Sequence, residues 1–151
     1  MLPHRLVVFT LTDWRYGLPL HAVDRVVRIA EVNPLPKAPD IVLGVVNVQG
    51  LVIPVINLRR RFRLPERELA ATDQLIVAHT ARRPVALVAD AVTGVIEYSD
   101  RDVAAARDVL PEIEYAEGVV KLDDGLVLIH DLDKFLLLDE EAALVEALQS
   151  Y

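Results

Sequence analysis

Four histidines, one His-Asp-x-Asp run, one Asp-Asp pair and five closely spaced arginines are the residues here whose types could do chemistry. His4, His21, His79 and His130 lack the i, i+4 spacing that sets two imidazoles on one helix face to hold a metal. His130-Asp131-Leu132-Asp133 offers ligand or acid–base groups, yet both aspartates equally suit helix caps. Asp123 and Asp124 are adjacent beside Gly125, where acids usually form a solvent-facing turn rather than a catalytic pair. The chain has no cysteine, which removes thiol catalysis and cysteine-based metal sites. It also has no glycine-rich phosphate loop and no G-x-S-x-G elbow. The expectation is therefore no catalytic set, no cofactor and no metal. The arginines Arg59, Arg60, Arg61, Arg63 and Arg67 could contact phosphates. The plainer reading is a solvated connector whose arginines pair with the acidic excess, 23 acidic against 16 basic residues.

The elements that must position these residues are mostly strands. Apolar residues make up 53% of the 151, enough for a sizeable core, and a chain of this length is one domain or one duplicated domain. The net charge of −7 argues against polyanion binding as the main task, and 5% aromatics against a base-stacking platform. The N-terminal MLPHRLVVFTLTDW lacks a secretory signal pattern. From Ile41 to Leu58 there is no charged residue, a run at the lower edge of what spans a bilayer as a helix. Asn47, Gln49, Gly50 and Pro54 oppose that, and the β-branched content favours two buried strands, 44–48 and 51–57, turning at Gln49-Gly50. No direct membrane insertion is expected.

Further strands are expected at Arg5–Thr12, Arg15–Leu20, Asp24–Val32, Asp73–Thr80, Pro84–Ala89, Val92–Tyr98, Tyr115–Leu122 and Leu126–Asp131. Asn33–Asp40 carries three prolines and reads as a stiff connector. Asp100–Ile113 reads as a loop with a short helical turn, Asp131–Leu138 as a short helix, and Asp139–Leu148 as a helix capped by Asp139. A shift of 69 positions lays the first three strands over the next three without a gap, matching Leu6 to Leu75, Val23 to Val92 and Val26 to Val95. A shift of 74 lays the hairpin at Gly44 over one at Gly118. The chain thus reads as an internal duplication, with approximate halves 1–66 and 67–138 and a C-terminal helix 139–150. Five short antiparallel strands per half close most economically into a small barrel, and two barrels side by side leave a groove between them. The fold class is all-β: two five-stranded barrels plus short helices.

The stretch 33–62, NPLPKAPDIVLGVVNVQGLVIPVINLRRRF, resembles the CheW-like domain, the chemotaxis coupling-protein family. The likeness extends to Tyr16-Gly17, Ala22-Val23 and VADAVTGV at 88–95. The resemblance implies two SH3-like five-stranded β-barrels in a single domain over 1–151. It implies a non-enzymatic, cytoplasmic bacterial adaptor that joins the cytoplasmic tip of a chemoreceptor to the regulatory domain of a CheA-type histidine kinase, at membrane-associated receptor arrays reached through its partners. Kinase contacts would use barrel ends, and the receptor helical hairpin would lie in the inter-barrel groove. Carried over by motif, that groove includes Val23, Arg25, Val26, Gly44, Gln49, Gly50, Val92 and Val95. Where the family commonly pairs a glutamate with an arginine, this chain has Arg25 and Gln49, which keep a hydrogen bond and lose its charge assistance. The family's aspartate before Leu-Arg is here Asn57. A small-barrel nucleic-acid binder using Arg59–Arg67 is the rival reading.

Overall fold

The structure, a computed structural model, describes residues 3–105 and 116–150. Its strands are β1 (His4–Leu11), β2 (Trp14–Pro19), β3 (Val23–Arg28), β4 (Val42–Val48), β5 (Leu51–Ile56) and β6 (Gln74–His79). They continue as β7 (Pro84–Ala89), β8 (Ala91–Tyr98), the two-residue β9 (Val103–Ala104), β10 (Ala116–Leu122) and β11 (Gly125–His130). Short helices occur at Leu58–Arg61 and, as 3-10 turns, at Leu20–Ala22, Asp100–Asp102 and Leu132–Lys134; the last helix is Leu138–Gln149. The expected strands are therefore present, mostly within one or two residues, although Asp24–Val32 shortens to end at Arg28. Asp139 is not the cap of the last helix: it lies in the first turn, and Glu140 accepts the Leu137 N–H at 2.9 Å instead. Part of Asp100–Ile113, together with Tyr115 and Tyr151, lies outside the described residues.

The two sheets do not follow the two halves. One runs β8-β1-β2-β11-β10-β9 and the other β3-β6-β7-β5-β4. Each SH3-like barrel takes three main strands from one half and the leading hairpin from the other. The links explain the exchange. One residue, Asp90, separates β7 from β8, and a tight hairpin needs two turn residues, so β8 cannot fold back on β7. It pairs with β1, and β3 pairs with β6 in the same way. The expectation of self-contained, wholly antiparallel halves is corrected accordingly: β11 lies parallel to β2, and β5 parallel to β7.

The duplication persists in fine detail. Both edge strands bulge at matching places, between Val23 and Arg25 on β3 and opposite Val8–Phe9 at Thr93 on β8. Each barrel then closes through the chain that follows its edge strand. Asn33 and Val45 exchange two backbone hydrogen bonds of 2.8 Å, and β9 pairs with β10 in the other barrel.

Three apolar clusters result. Val46, Ile53, Val55, Leu75, Val77 and Ala86 fill one barrel, and Leu6, Val8, Val120, Val127 and Ile129 fill the other. The largest lies between them, where Phe9, Leu11 and Leu18 meet Ile76, Val85 and Leu87, and Leu144 and Ala147 of the last helix pack on it. Strands such as β1 are thus buried on both faces, which is why they read as continuous apolar runs rather than alternating ones.

Candidate functional site

The bulges give β3 and β8 the same outward row. Val27 of β3 and Ile96 of β8 turn into the barrel interiors. Val23 and Val92 rest on the central cluster, half-buried, while Val26 and Val95 stand 37% and 54% exposed. The two strands run in opposite directions along the inter-barrel seam. The Val92 N–H at the start of β8 donates to Gln74 Oε1 at 2.7 Å, and Gln74 is the strand partner of Arg28 at the end of β3. At the other end, the turn preceding β3 lines a cleft of about 610 Å³ with Tyr98, where β8 ends; Pro19, His21 and His4 also line it. The structure therefore rests Val23 and Val92 on the same central cluster, with Val26 and Val95 exposed on the outward row of their strands.

The turn that closes the β4–β5 hairpin stands beside β3. Gln49 (φ 52°) and Gly50 (φ 85°) both take left-handed backbone, the geometry of a two-residue turn whose twist matches its strands. Asn47 Oδ1 holds the turn by accepting the Gly50 N–H at 2.8 Å. The Arg25 guanidinium donates to Gln49 Oε1, so the two residues singled out by resemblance do meet, cation to amide. Gly44 is different. It is buried, and a Cβ there would lie 2.2 Å from the Asn33 carbonyl oxygen. Its role is to let the backbone close the barrel, and it lines no surface. The strand 51–57, expected to be buried throughout, exposes Leu51 (53%) and Val52 (43%) next to the turn.

The arginine segment is consumed internally. Arg59 donates to Asp90 Oδ1 at 2.7 Å and to Thr12 Oγ1 at 3.0 Å, tying the end of β5 to a hairpin tip of the other barrel. Arg67 bridges Asp73 and Asp90, each at 2.6 Å, and Asp90 also accepts the Thr12 N–H at 2.8 Å. Burial alone would push the Asp73 and Asp90 carboxyls up; the arginines and backbone N–H groups around them instead hold both below the ordinary value. Arg60 pairs with Glu66, and Arg61 with Glu140 of the last helix. This is an inter-barrel clamp, more buried than the expected solvated connector. Sequence reasoning missed Asp73 and Asp90, whose arginine partners lie on a segment that shares no local pattern with them.

Asn57 explains its own identity. Its Oδ1 caps the short helix at the Arg60 N–H, 3.2 Å, and its Nδ2 donates to Glu66 Oε1 at 2.8 Å. Hydrogen bonds from Arg60 and then Asn57 keep the Glu66 carboxyl low, so an aspartate at 57 would face a second carboxylate. His130 is buried in an aromatic group, stacked on Phe62 at 4.5 Å with Tyr16 and Phe135 beside it. Asp131 caps the following turn at the Asp133 N–H, and Asp133 accepts the Ala81 N–H at 2.7 Å. Asp124 pairs with Arg15. Tyr16, desolvated by burial and only partly relieved by Arg59, has its phenol pushed up to about 12. These groups pack and cap; they form no catalytic arrangement among the described residues.

Comparison with known proteins agrees with this geometry. Residues 5–140 match the family described as CheW-like domain. The chain is 29% identical over 140 residues to the chemotaxis protein CheW of Rhizobium meliloti, covering 91% of this chain and 90% of that one. It is 31% identical over 136 residues to the chemotaxis protein CheW of Treponema pallidum, covering 86% and 80%. The crystal structure of the scaffolding protein TtCheW from Thermoanaerobacter tengcongensis superposes with a TM-score of 0.81 at 28% identity, over 93% of this chain and 92% of that one.

Proposed function

This chain belongs to the CheW-like domain family, and from that premise we propose that it is a chemotaxis adaptor coupling chemoreceptors to a CheA-type histidine kinase. The observation that carries the reading is a family match spanning 5–140 on a fold shared with a scaffolding protein. It works by stoichiometric binding and geometry. The trough of Val23, Val26, Val92 and Val95, with Arg25 and Gln49 at its rim, takes the helical hairpin of a receptor's cytoplasmic tip, apolar face inward. The regulatory domain of the kinase docks on barrel ends. Among the described residues no helix is long and apolar enough to cross a membrane, and the adaptor acts on the cytoplasmic side through its partners. The nucleic-acid alternative loses its support because Arg59, Arg60, Arg61 and Arg67 are held by Asp90, Glu66, Glu140 and Asp73.

The test is sedimentation velocity of the chain with its cognate kinase regulatory domain and, separately, with a soluble receptor-tip fragment. Saturable complexes are expected at about 50 µM, in line with a weak scaffold contact that gains avidity in an array. No association with either at that concentration overturns the proposal.

A further inference from the structure

The trough is two-fold alike in its apolar residues and unlike in its charges. A shift of 69 carries Val23 to Val92 and Val26 to Val95, the first pair half-buried on the central cluster and the second exposed. The same shift carries Arg25 to Gly94 and Arg28 to Glu97. On β8 the single charge is already balanced, since Glu97 pairs with Arg5 at 3.3 Å. On β3 the one acid, Asp24, is engaged by His79 at 2.8 Å. Arg25 contacts only the neutral Gln49 amide, and neither Arg25 nor Arg28 has a carboxylate partner among the described residues. A chain with net charge −7 therefore carries an excess of cations on β3, two arginines against Asp24, and a balanced charge on β8.

An apolar trough with near two-fold symmetry, flanked by antiparallel strands, accepts an antiparallel helical pair about equally well in either of two directions. Only a feature that breaks the symmetry selects one. We propose that Arg25 and Arg28 are specificity-determining residues that take carboxylates from the helix lying over β3 and so fix the direction in which the helical pair is held. This rests on the groove reading above and adds the partner's chemistry: acidic beside the apolar seam on the β3 side, neutral on the β8 side. Edge-strand charges also guard against sheet-to-sheet pairing, and that protective role alone predicts no preference among helices.

Two hydrocarbon-stapled, fluorescein-labelled helices of roughly 18 residues separate the outcomes. Both carry the same Val/Ala/Ile seam; one flanks it with glutamates, the other with lysines. Anisotropy titrations at low and high salt are run on the wild-type chain and on Arg25→Gln/Arg28→Gln, Arg25→Glu/Arg28→Glu and Val26→Glu/Val95→Glu variants, with thermal melts confirming that each is folded. At low salt the glutamate helix is expected to bind roughly 3- to 30-fold tighter than the lysine helix, the range that two exposed charge pairs supply. The glutamine variant erases that preference, the glutamate variant reverses it, and high salt shrinks it. Amide shifts on adding the glutamate helix fall on β3 rather than β8. Val26→Glu/Val95→Glu abolishes binding of both helices. Equal binding of both helices, unchanged by the arginine substitutions, overturns this inference and leaves the groove reading standing. Binding of neither helix, or binding indifferent to the valine substitutions, overturns the groove reading and this inference with it.

Discussion

Replacing Gly44 by alanine separates barrel closure from partner contact at a residue that motif resemblance assigns to the groove. The new Cβ would meet the Asn33 carbonyl oxygen at 2.2 Å, its carbon at 2.9 Å and a Val32 methyl at 3.0 Å. Backbone cannot yield as a side-chain end can, so relief requires parting the Asn33–Val45 bridge. Overpacking costs about 1–3 kcal/mol, and two lost backbone hydrogen bonds about 1 kcal/mol each; since parting the strands relieves the clash, a total of about 3–4 kcal/mol is expected. At about 2–4 °C per kcal/mol for a chain of this size, the Tm falls by about 6–16 °C. Gly118, the duplicate of Gly44, is the control. A Cβ there meets Val103 Cγ1 at 3.0 Å and the Ala104 carbonyl oxygen at 3.3 Å, and the flexible methyl can give, so Gly118→Ala costs about 1 kcal/mol. Urea denaturation followed by far-UV circular dichroism reads both, with an unchanged m-value showing that the same transition is compared. The folded fraction of Gly44→Ala should bind a receptor-tip fragment as the wild type does. A loss below about 1 kcal/mol, or one equal to that of Gly118→Ala, refutes closure by Asn33 as the reason for this glycine; normal stability with lost binding returns Gly44 to the groove.

Asp90→Asn removes the carboxylate that Arg59, Arg67 and the Thr12 N–H share, and should cost about 2 kcal/mol at pH 7 by urea melts. Asp73 and Asp90 titrate lower folded than unfolded, so their contribution is complete above the ordinary value near 3.8 and is lost as pH falls through their folded values; an Asp73→Asn/Asp90→Asn variant should show a flattened acid limb, and an unchanged limb would sink the clamp. Asn57→Asp sets a second carboxylate against Glu66 and should lower the Tm by a few degrees, restored by adding Glu66→Gln; no restoration would mean the cap geometry alone is at fault. Gln49→Arg faces Arg25 with a like charge at an exposed rim, so the Tm should stay within a few degrees while receptor-tip affinity changes measurably; a large loss of stability would make Gln49 structural. In a spectroscopic alkaline titration that compares the wild type with Tyr16→Phe, the Tyr16 phenol should ionise near pH 12, and a midpoint near 10 would contradict its burial.

Strand identity was legible because each hairpin carries its own local record: β-branched residues bounded by turn formers, with Gln49-Gly50 supplying the positive backbone angles a two-residue turn needs. The duplication was legible because its register survives down to the bulge that puts Val23 and Val26, and then Val92 and Val95, on one outward row. The meeting of Arg25 and Gln49 followed from motif resemblance and not from spacing, since 24 residues separate them. The clamp at Asp90 and the closure at Gly44 stayed hidden because each depends on a backbone approach between segments that share no local pattern.

What the sequence determined by itself is therefore local and repetitive: which segments are strands, which pairs are hairpins, and that the second half echoes the first. Only the tertiary structure decided which hairpin belongs to which barrel. Pairing between strands far apart in the chain is set by link length and by the apolar layer it buries, and the single residue between β7 and β8 keeps β8 from folding back on β7. The same exchange places the largest apolar cluster between the barrels and leaves β3 and β8 antiparallel along its seam. The valines are written twice in the sequence, but Val23 and Val92 reach one apolar cluster only because the two halves trade their first hairpins.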